Sequence, residues 1–295
     1  MDKLAHAIAA DGGVRVIAGI TTETVSEAVK RHGTSPTASA ALGRTLTGVA
    51  LLGASLKEFD RLTIKIEADG PIGAIIAEAN NTGGVRGYVN NPQAELPPNE
   101  SGKFDVSGIV GDGLFYVIRE SGFALGLHRE PYVGSVPITS GEIAEDLAFY
   151  LAKSEQIPSA VMLGVLLQNT EPFVAASGGV LVQMMPGANE HIITMIEDTI
   201  AHAPHVTSLI ADGATPADLI ENVLGIIDFE VLEEHNIEFR CTCSYERAVS
   251  MISSFGRTEV ESMLADDDGA SMNCGFCNAD YVLDGAELNR MLATI

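Results

Sequence analysis

The pattern of apolar and polar positions divides the chain into a long, richly patterned part and a short, sparsely apolar one. TSPTASAALGRTLTGVALLGASLK, from Thr34 to Lys57, is small or apolar on nearly every helical face, interrupted by Arg44. Ser35 followed by Pro36 provides its cap and first turn. Such a helix has to be buried on all sides. Alternation with period two follows in RLTIKIEAD and GAIIAEAN, joined through Asp69, Gly70 and Pro71, and then comes VRGYVNN. These predict antiparallel strands. KFDVSGIVGDGLFYVIRE reads as two further strands joined at Gly111, Asp112 and Gly113. TSGEIAEDLAFYLAKSEQIP predicts an amphipathic helix, with Thr139 and Glu142 as a capping box and Ile143, Leu147, Tyr150 and Leu151 on one face. SAVMLGVLLQ and PFVAASGGVLVQMMPG are apolar enough to be buried strands. Residues 1–185 therefore predict an α+β domain, strands packed around a buried central helix.

After Pro186 and Gly187 the period returns to that of a helix. ANEHIITMIEDTIAHAP and TPADLIENVLGIIDFEVLEE predict two amphipathic helical segments, the second opened by Thr215 as cap and Pro216 at its first position. Pro204, Gly213 and Pro216 break the backbone between them, so residues 186–231 read as a hinged helical linker arm. Its apolar residues, among them Ile192, Ile193, Ile196, Leu219, Val223 and Leu224, must cover something, and the first domain is the simplest candidate.

Charge sharpens the third division, residues 232–295. The whole chain of 295 residues holds 40 acidic and 17 basic residues, a formal charge of -23. From Val231 onward there are twelve acidic and four basic residues, with few large apolar side chains. Ser244 can cap YERAVSMISS, while Thr258 with Glu261 and Asp284 with Glu287 are further helix-start signals. A domain this small often needs a metal or disulfides to be stable. The negative field argues against nucleic acid and anionic membrane as partners. No stretch has the length and apolarity of a membrane span, and the first twenty residues have too few consecutive apolar positions for a signal peptide, so a cytoplasmic location is expected.

All four cysteines lie in this last division, as RCTCSYER and NCGFC. Reducing cytoplasm argues against permanent disulfides. Residues two apart on an extended segment point to one side, so Cys241 and Cys243 can reach one ion, and Cys274 and Cys277 with Gly275 in the turn form a two-sulfur knuckle. Four thiolates favour tetrahedral zinc, with iron as the alternative, and leave no open position for catalytic water. Spacing alone leaves a structural zinc and a redox switch both open. A zinc-bound thiolate is oxidisable, and oxidation would remove the ligands that keep the module folded.

RCTCSYERA, NCGFCNADYVLD, GRTLTGVALLGASLK, VRGYVNN, EPYVGSVPITSGEIAEDLAFYLAKSEQIPSAVMLGVLL and GGVLVQMMPGA together resemble the redox-regulated holdase chaperones of the thirty-three-kilodalton heat-shock protein family. The resemblance spans nearly the whole chain. It implies that Cys241, Cys243, Cys274 and Cys277 are zinc ligands and that the middle arm is a linker whose unfolding activates the protein. It further implies an ATP-independent chaperone, not an enzyme, that holds unfolding client proteins when oxidised and forms a homodimer. On oxidation each cysteine is expected to join its motif partner, Cys241 with Cys243 and Cys274 with Cys277. Two local departures are Asp112, where a basic or neutral residue is expected, and the length of SGFALGLHREPY.

Other chemistry is thin. His202 and His205 have Pro204 between them and no nearby carboxylate pair, GIVGDG lacks the lysine and helix of a phosphate loop, and Met162, Met184 and Met185 suit core filling. No nucleophile, base and orienting group converge. The competing reading is a zinc-stabilised binding or regulatory protein with a protein partner.

Overall fold

The computed structural model describes residues 1–54, 61–121 and 130–294; the centre of SGFALGLHREPY and the end of the buried-helix stretch lie outside these. The chain divides into two compact units, Met1–Arg240 and Cys241–Ile295.

In the first unit, α1 (Thr22–His32) is followed by α2 (Pro36–Ala54), which is buried along almost its whole length, as its composition requires. Leu42, Leu46, Val49 and Leu51 share one core with Leu62, Ile64, Ile75 and Phe115 from one sheet and Leu4, Ile17 and Leu181 from another. Arg44, the one charge in the helix, pairs with Glu142. The α+β reading with strands around a buried helix is what the structure has.

One sheet contains β3 (Arg61–Ala68), β4 (Ala74–Asn80), β5 (Gly84–Val89), β6 (Gly113–Glu120), β7 (Tyr132–Pro137) and β11 (Glu238–Phe239), in the order β11-β5-β4-β3-β6-β7. The stretch before β6 differs from the expected strand: Asp105 accepts from Gly108 N and caps a short buried helix, α3 (Val106–Val110). Asp112 then closes the turn into β6, donating its N–H to Asp69 Oδ1 at 2.9 Å. The capping of α4 (Ala144–Lys153) also differs. Asp146, rather than Glu142, accepts from Thr139 N, Ser140 N and Ile143 N, which leaves Glu142 for Arg44. Ile143, Leu147, Tyr150 and Leu151 are buried as expected.

The other sheet has the order β10-β1-β2-β9-β8, from β1 (Lys3–Ala9), β2 (Val14–Ile20), β8 (Ser159–Leu167), β9 (Val174–Met184) and β10 (Phe229–Asn236). Both of its faces are covered, so its inner strands read as continuous apolar runs. Ile17 and Leu181 face α2, whereas Val14, Val16, Val180 and Val182 face the arm helices α5 (Glu190–His202), α6 (Val206–Ala211) and α7 (Pro216–Leu224). Ile196, Leu219, Val223 and Leu224 of the arm belong to that second core, with Met162 and Met184 packed against it. The breaks fall at Pro204 and Gly213–Thr215, and Thr215 caps α7 by accepting from Asp218 N. The expected helical segment 215–234 is cut short. Helix α7 stops at Gly225, and Phe229–Asn236 becomes a strand because it finds the open edge of β1. Among the described residues no helix is long and apolar enough to cross a membrane.

The second unit has α8 (Tyr245–Ser254), α9 (Arg257–Asp267), the hairpin β12 (Gly269–Asn273) and β13 (Asp280–Asp284), and α10 (Gly285–Leu292). Ser244 caps α8, and Asp284 with Glu287 forms the capping box of α10. Helix α9 instead starts after Gly256, without a side-chain cap from Thr258. Its core is small: Ile252, Val260, Leu283, Leu288 and Met291.

Candidate metal centre

Local bonds of each motif shape the two cysteine loops. Arg247 Nη1 donates to the Thr242 carbonyl at 2.6 Å, fixing the peptide between Cys241 and Cys243, while Arg247 N donates to Ser244 Oγ. In the second loop the N–H groups of Cys277 and Asn278 both donate to the Cys274 carbonyl, at 3.2 and 2.7 Å. Asn278 turns the chain back with φ 56°, in the left-handed region that asparagine tolerates. Cys274 N then donates to Ala279 O, closing the turn at the mouth of the β12–β13 hairpin.

These loops bring Cys241, Cys243, Cys274 and Cys277 together, with all four sulfurs within 4.8 Å of one another. Cys241 Sγ lies 3.7 Å from Cys274 Sγ, and Cys243 Sγ lies 3.3 Å from Cys277 Sγ. A tetrahedral ion about 2.3 Å from each sulfur would separate them by about 3.8 Å. The donor set therefore fits one four-coordinate ion. Both short contacts join one motif to the other, so proximity in the folded centre does not single out the motif partner for a disulfide.

Burial pushes the thiols of Cys274 and Cys277 up from their ordinary values, and the neighbouring Cys243 sulfur adds to the rise at Cys277. Backbone N–H groups of Cys277 and Phe276 act the other way on Cys274, and that of Ala279 on Cys277. Amides aimed at sulfur suit a thiolate, and a cation would complete the balance. A further partner lies outside both motifs: Tyr281 Oη donates to Cys243 Sγ at 3.0 Å. This bond, with some burial, pushes the Tyr281 phenol up to about 12. No spacing rule points to Tyr281, because its place is set by the pairing of β13 with β12, which puts it opposite Met272.

Among the described residues, these four cysteines are the one group of three or more side chains arranged to hold a metal ion. His202 instead places Nδ1 2.8 Å from the Asp198 carbonyl oxygen on its own helix.

Comparison with known proteins agrees along the length of the chain. The sequence model of the family described as Hsp33 protein matches residues 2–284. The 33 kDa chaperonin of Desulforamulus reducens is 45% identical over 294 residues, covering 100% of this chain and 98% of that protein. That of Bacillus subtilis (strain 168) is 45% identical over 289 residues, covering 98% and 97%. The crystal structure of the 33 kDa chaperonin (heat shock protein 33 homolog) from Thermotoga maritima superposes with a TM-score of 0.90 at 38% identity, covering 99% of this chain and 98% of that one.

Proposed function

Because this chain belongs to the Hsp33 protein family, a family of chaperones, we propose that it is an ATP-independent holdase switched on by oxidation of a zinc-bound four-cysteine centre. The observation that carries the switch is the convergence of four sulfurs within 4.8 Å in a unit with a five-residue buried core. Bound zinc would hold all four thiolates and supply folding free energy, on the order of 10 kcal/mol in domains of this kind.

Cys241, Cys243, Cys274 and Cys277 hold the two loops together while they share one centre. Peroxide takes two electrons from each pair of thiols, forming one S–S bond while the peroxide is reduced to two waters. Once the centre has opened, Cys241 and Cys243 remain tethered through one residue and Cys274 and Cys277 through two, while the motifs drift apart. Local disulfides follow from this tether. Neither loop then has the shape that brings four sulfurs together.

The consequence passes along the chain to the arm. Ile237 N donates to Asp2 O, Glu238 N to Gly83 O and Arg240 N to Val85 O, and these backbone bonds, with Ile237 buried, hold the residues just before Cys241 within the first unit. Loss of order from about residue 232 to the end strips β10 from its sheet and loosens residues 186–231. That exposes the apolar face formed by Val14, Val16, Val180 and Val182, on which unfolding clients are held. Holding a client in this way makes and breaks no bond in it. The active form is a homodimer, works in the cytoplasm, and takes neither nucleic acid nor membrane as partner.

Light scattering from a thermally unfolding client tests this reading. Peroxide-treated protein suppresses aggregation at near-stoichiometric amounts, and reduced, zinc-loaded protein does not. Equal suppression by both forms removes the switch and leaves a zinc-stabilised binding protein.

A further inference from the structure

We propose that Tyr281 is a positioning residue whose hydroxyl shields the Cys243 sulfur, and so slows attack on that sulfur when the four-cysteine centre is oxidised. The inference deepens the function proposed above and rests on it, because it takes the four sulfurs as metal ligands and oxidant targets.

Tyr281 and Leu283 lie two residues apart on β13 and so share a face, and Leu283 is buried in the core of the second unit. The ring is thereby anchored, with Oη delivered to Cys243 Sγ at 3.0 Å. Cys274 and Cys277 take backbone donors, the N–H groups of Phe276, Cys277 and Ala279, which belong to the second cysteine loop itself. Cys243 instead takes an O–H from a side chain 38 residues further on. A backbone donor is inseparable from the loop, whereas this one can be removed by taking away a single atom.

An O–H donated to a thiolate draws charge from the lone pair that attacks peroxide. In that attack an S–O bond forms, the O–O bond breaks, and hydroxide leaves and is protonated to water. The sulfenic acid then condenses with a neighbouring thiol, forming the S–S bond and releasing a second water. Tyr281 slows the first event at Cys243, and the O–H also lowers the energy of the lone pair that Cys243 offers a metal.

The test uses the full chain loaded with cobalt(II), whose sulfur-to-metal charge-transfer band reports lone-pair energy. In Tyr281→Phe the band moves to lower energy. The peroxide-driven loss of the Cys243 thiol, followed by site-resolved alkylation and mass spectrometry, speeds up roughly tenfold, the low end of what one hydrogen bond to a charged group is worth. Cys274 and Cys277 change little at first. A stronger donor on the same ring, 3-fluorotyrosine at position 281, moves both readouts the other way, and it decides the matter if circular dichroism shows the Phe variant unfolded. Band and rate unchanged in the folded variants overturn the role of Tyr281 while the zinc switch stands. Absence of any cobalt–sulfur band in the unaltered protein overturns both.

Discussion

Replacing Cys274 by Ser exchanges one of four convergent sulfurs for a harder, shorter oxygen donor and breaks the tetrahedral set. Loss of an outer partner already weakens metal binding about 10- to 100-fold, so loss of a ligand costs more than about 100-fold. Metal analysis should find one zinc per reduced chain in the unaltered protein and far less in Cys274→Ser after dialysis against a mild chelator. Two zinc ions per reduced chain would contradict the four-sulfur centre. The candidate ligands themselves are legible from spacing, because extended segments and knuckle turns point sulfurs in known directions. Their partners are not. Tyr281 is brought to Cys243 by strand register, and Glu142 reaches Arg44 across 98 residues. Only the folded backbone gives these side chains a common address.

At the scale of elements, α7 carries the test of the arm. Leu219 is 1% exposed in the core between the arm and the β-sheet, and an aspartate there buries an unpaired charge at a cost of several kcal/mol. Leu219→Asp should raise hydrogen exchange across residues 190–228 and suppress client aggregation without oxidant. A second element test concerns the tie before the cysteines. Gly83 has φ 81°, and a Cβ there would overlap the Asn236 carbonyl oxygen. Gly83→Ala adds roughly 1–2 kcal/mol of left-handed strain to that overlap. Exchange at residues 236–240 should rise, and less peroxide should be needed for activation. Elements with a strong signal of their own, the apolar run of α2 and the periodic β3, β4 and α7, follow their sequences. Phe229–Asn236 does not, because its pairing with β1 outweighs a weak helical pattern. Val106–Val110 is a helix for a similar reason, its Asp105 cap and burial overriding apparent alternation.

For the whole molecule, the decisive measurement is the covalent and dynamic state of the oxidised, active form. Peptide mapping should find Cys241 joined to Cys243 and Cys274 to Cys277, with residues from about 232 to the end losing exchange protection. Cys243 joined to Cys274, or a second unit that stays protected, would contradict unfolding as the trigger. Sedimentation should show a shift from monomer towards dimer on oxidation. The sequence by itself determined the α+β class, the buried helix, the amphipathic arm and the two cysteine motifs, since each follows from composition, period or spacing within a few tens of residues. Tertiary structure alone decided that both faces of the β10-β1-β2-β9-β8 sheet are covered, that β10 closes its edge, and that the sulfurs meet across two motifs with a tyrosine at one of them. Those features depend on pairings between distant segments, and a local pattern of apolar and polar residues does not specify which distant segment will be the partner.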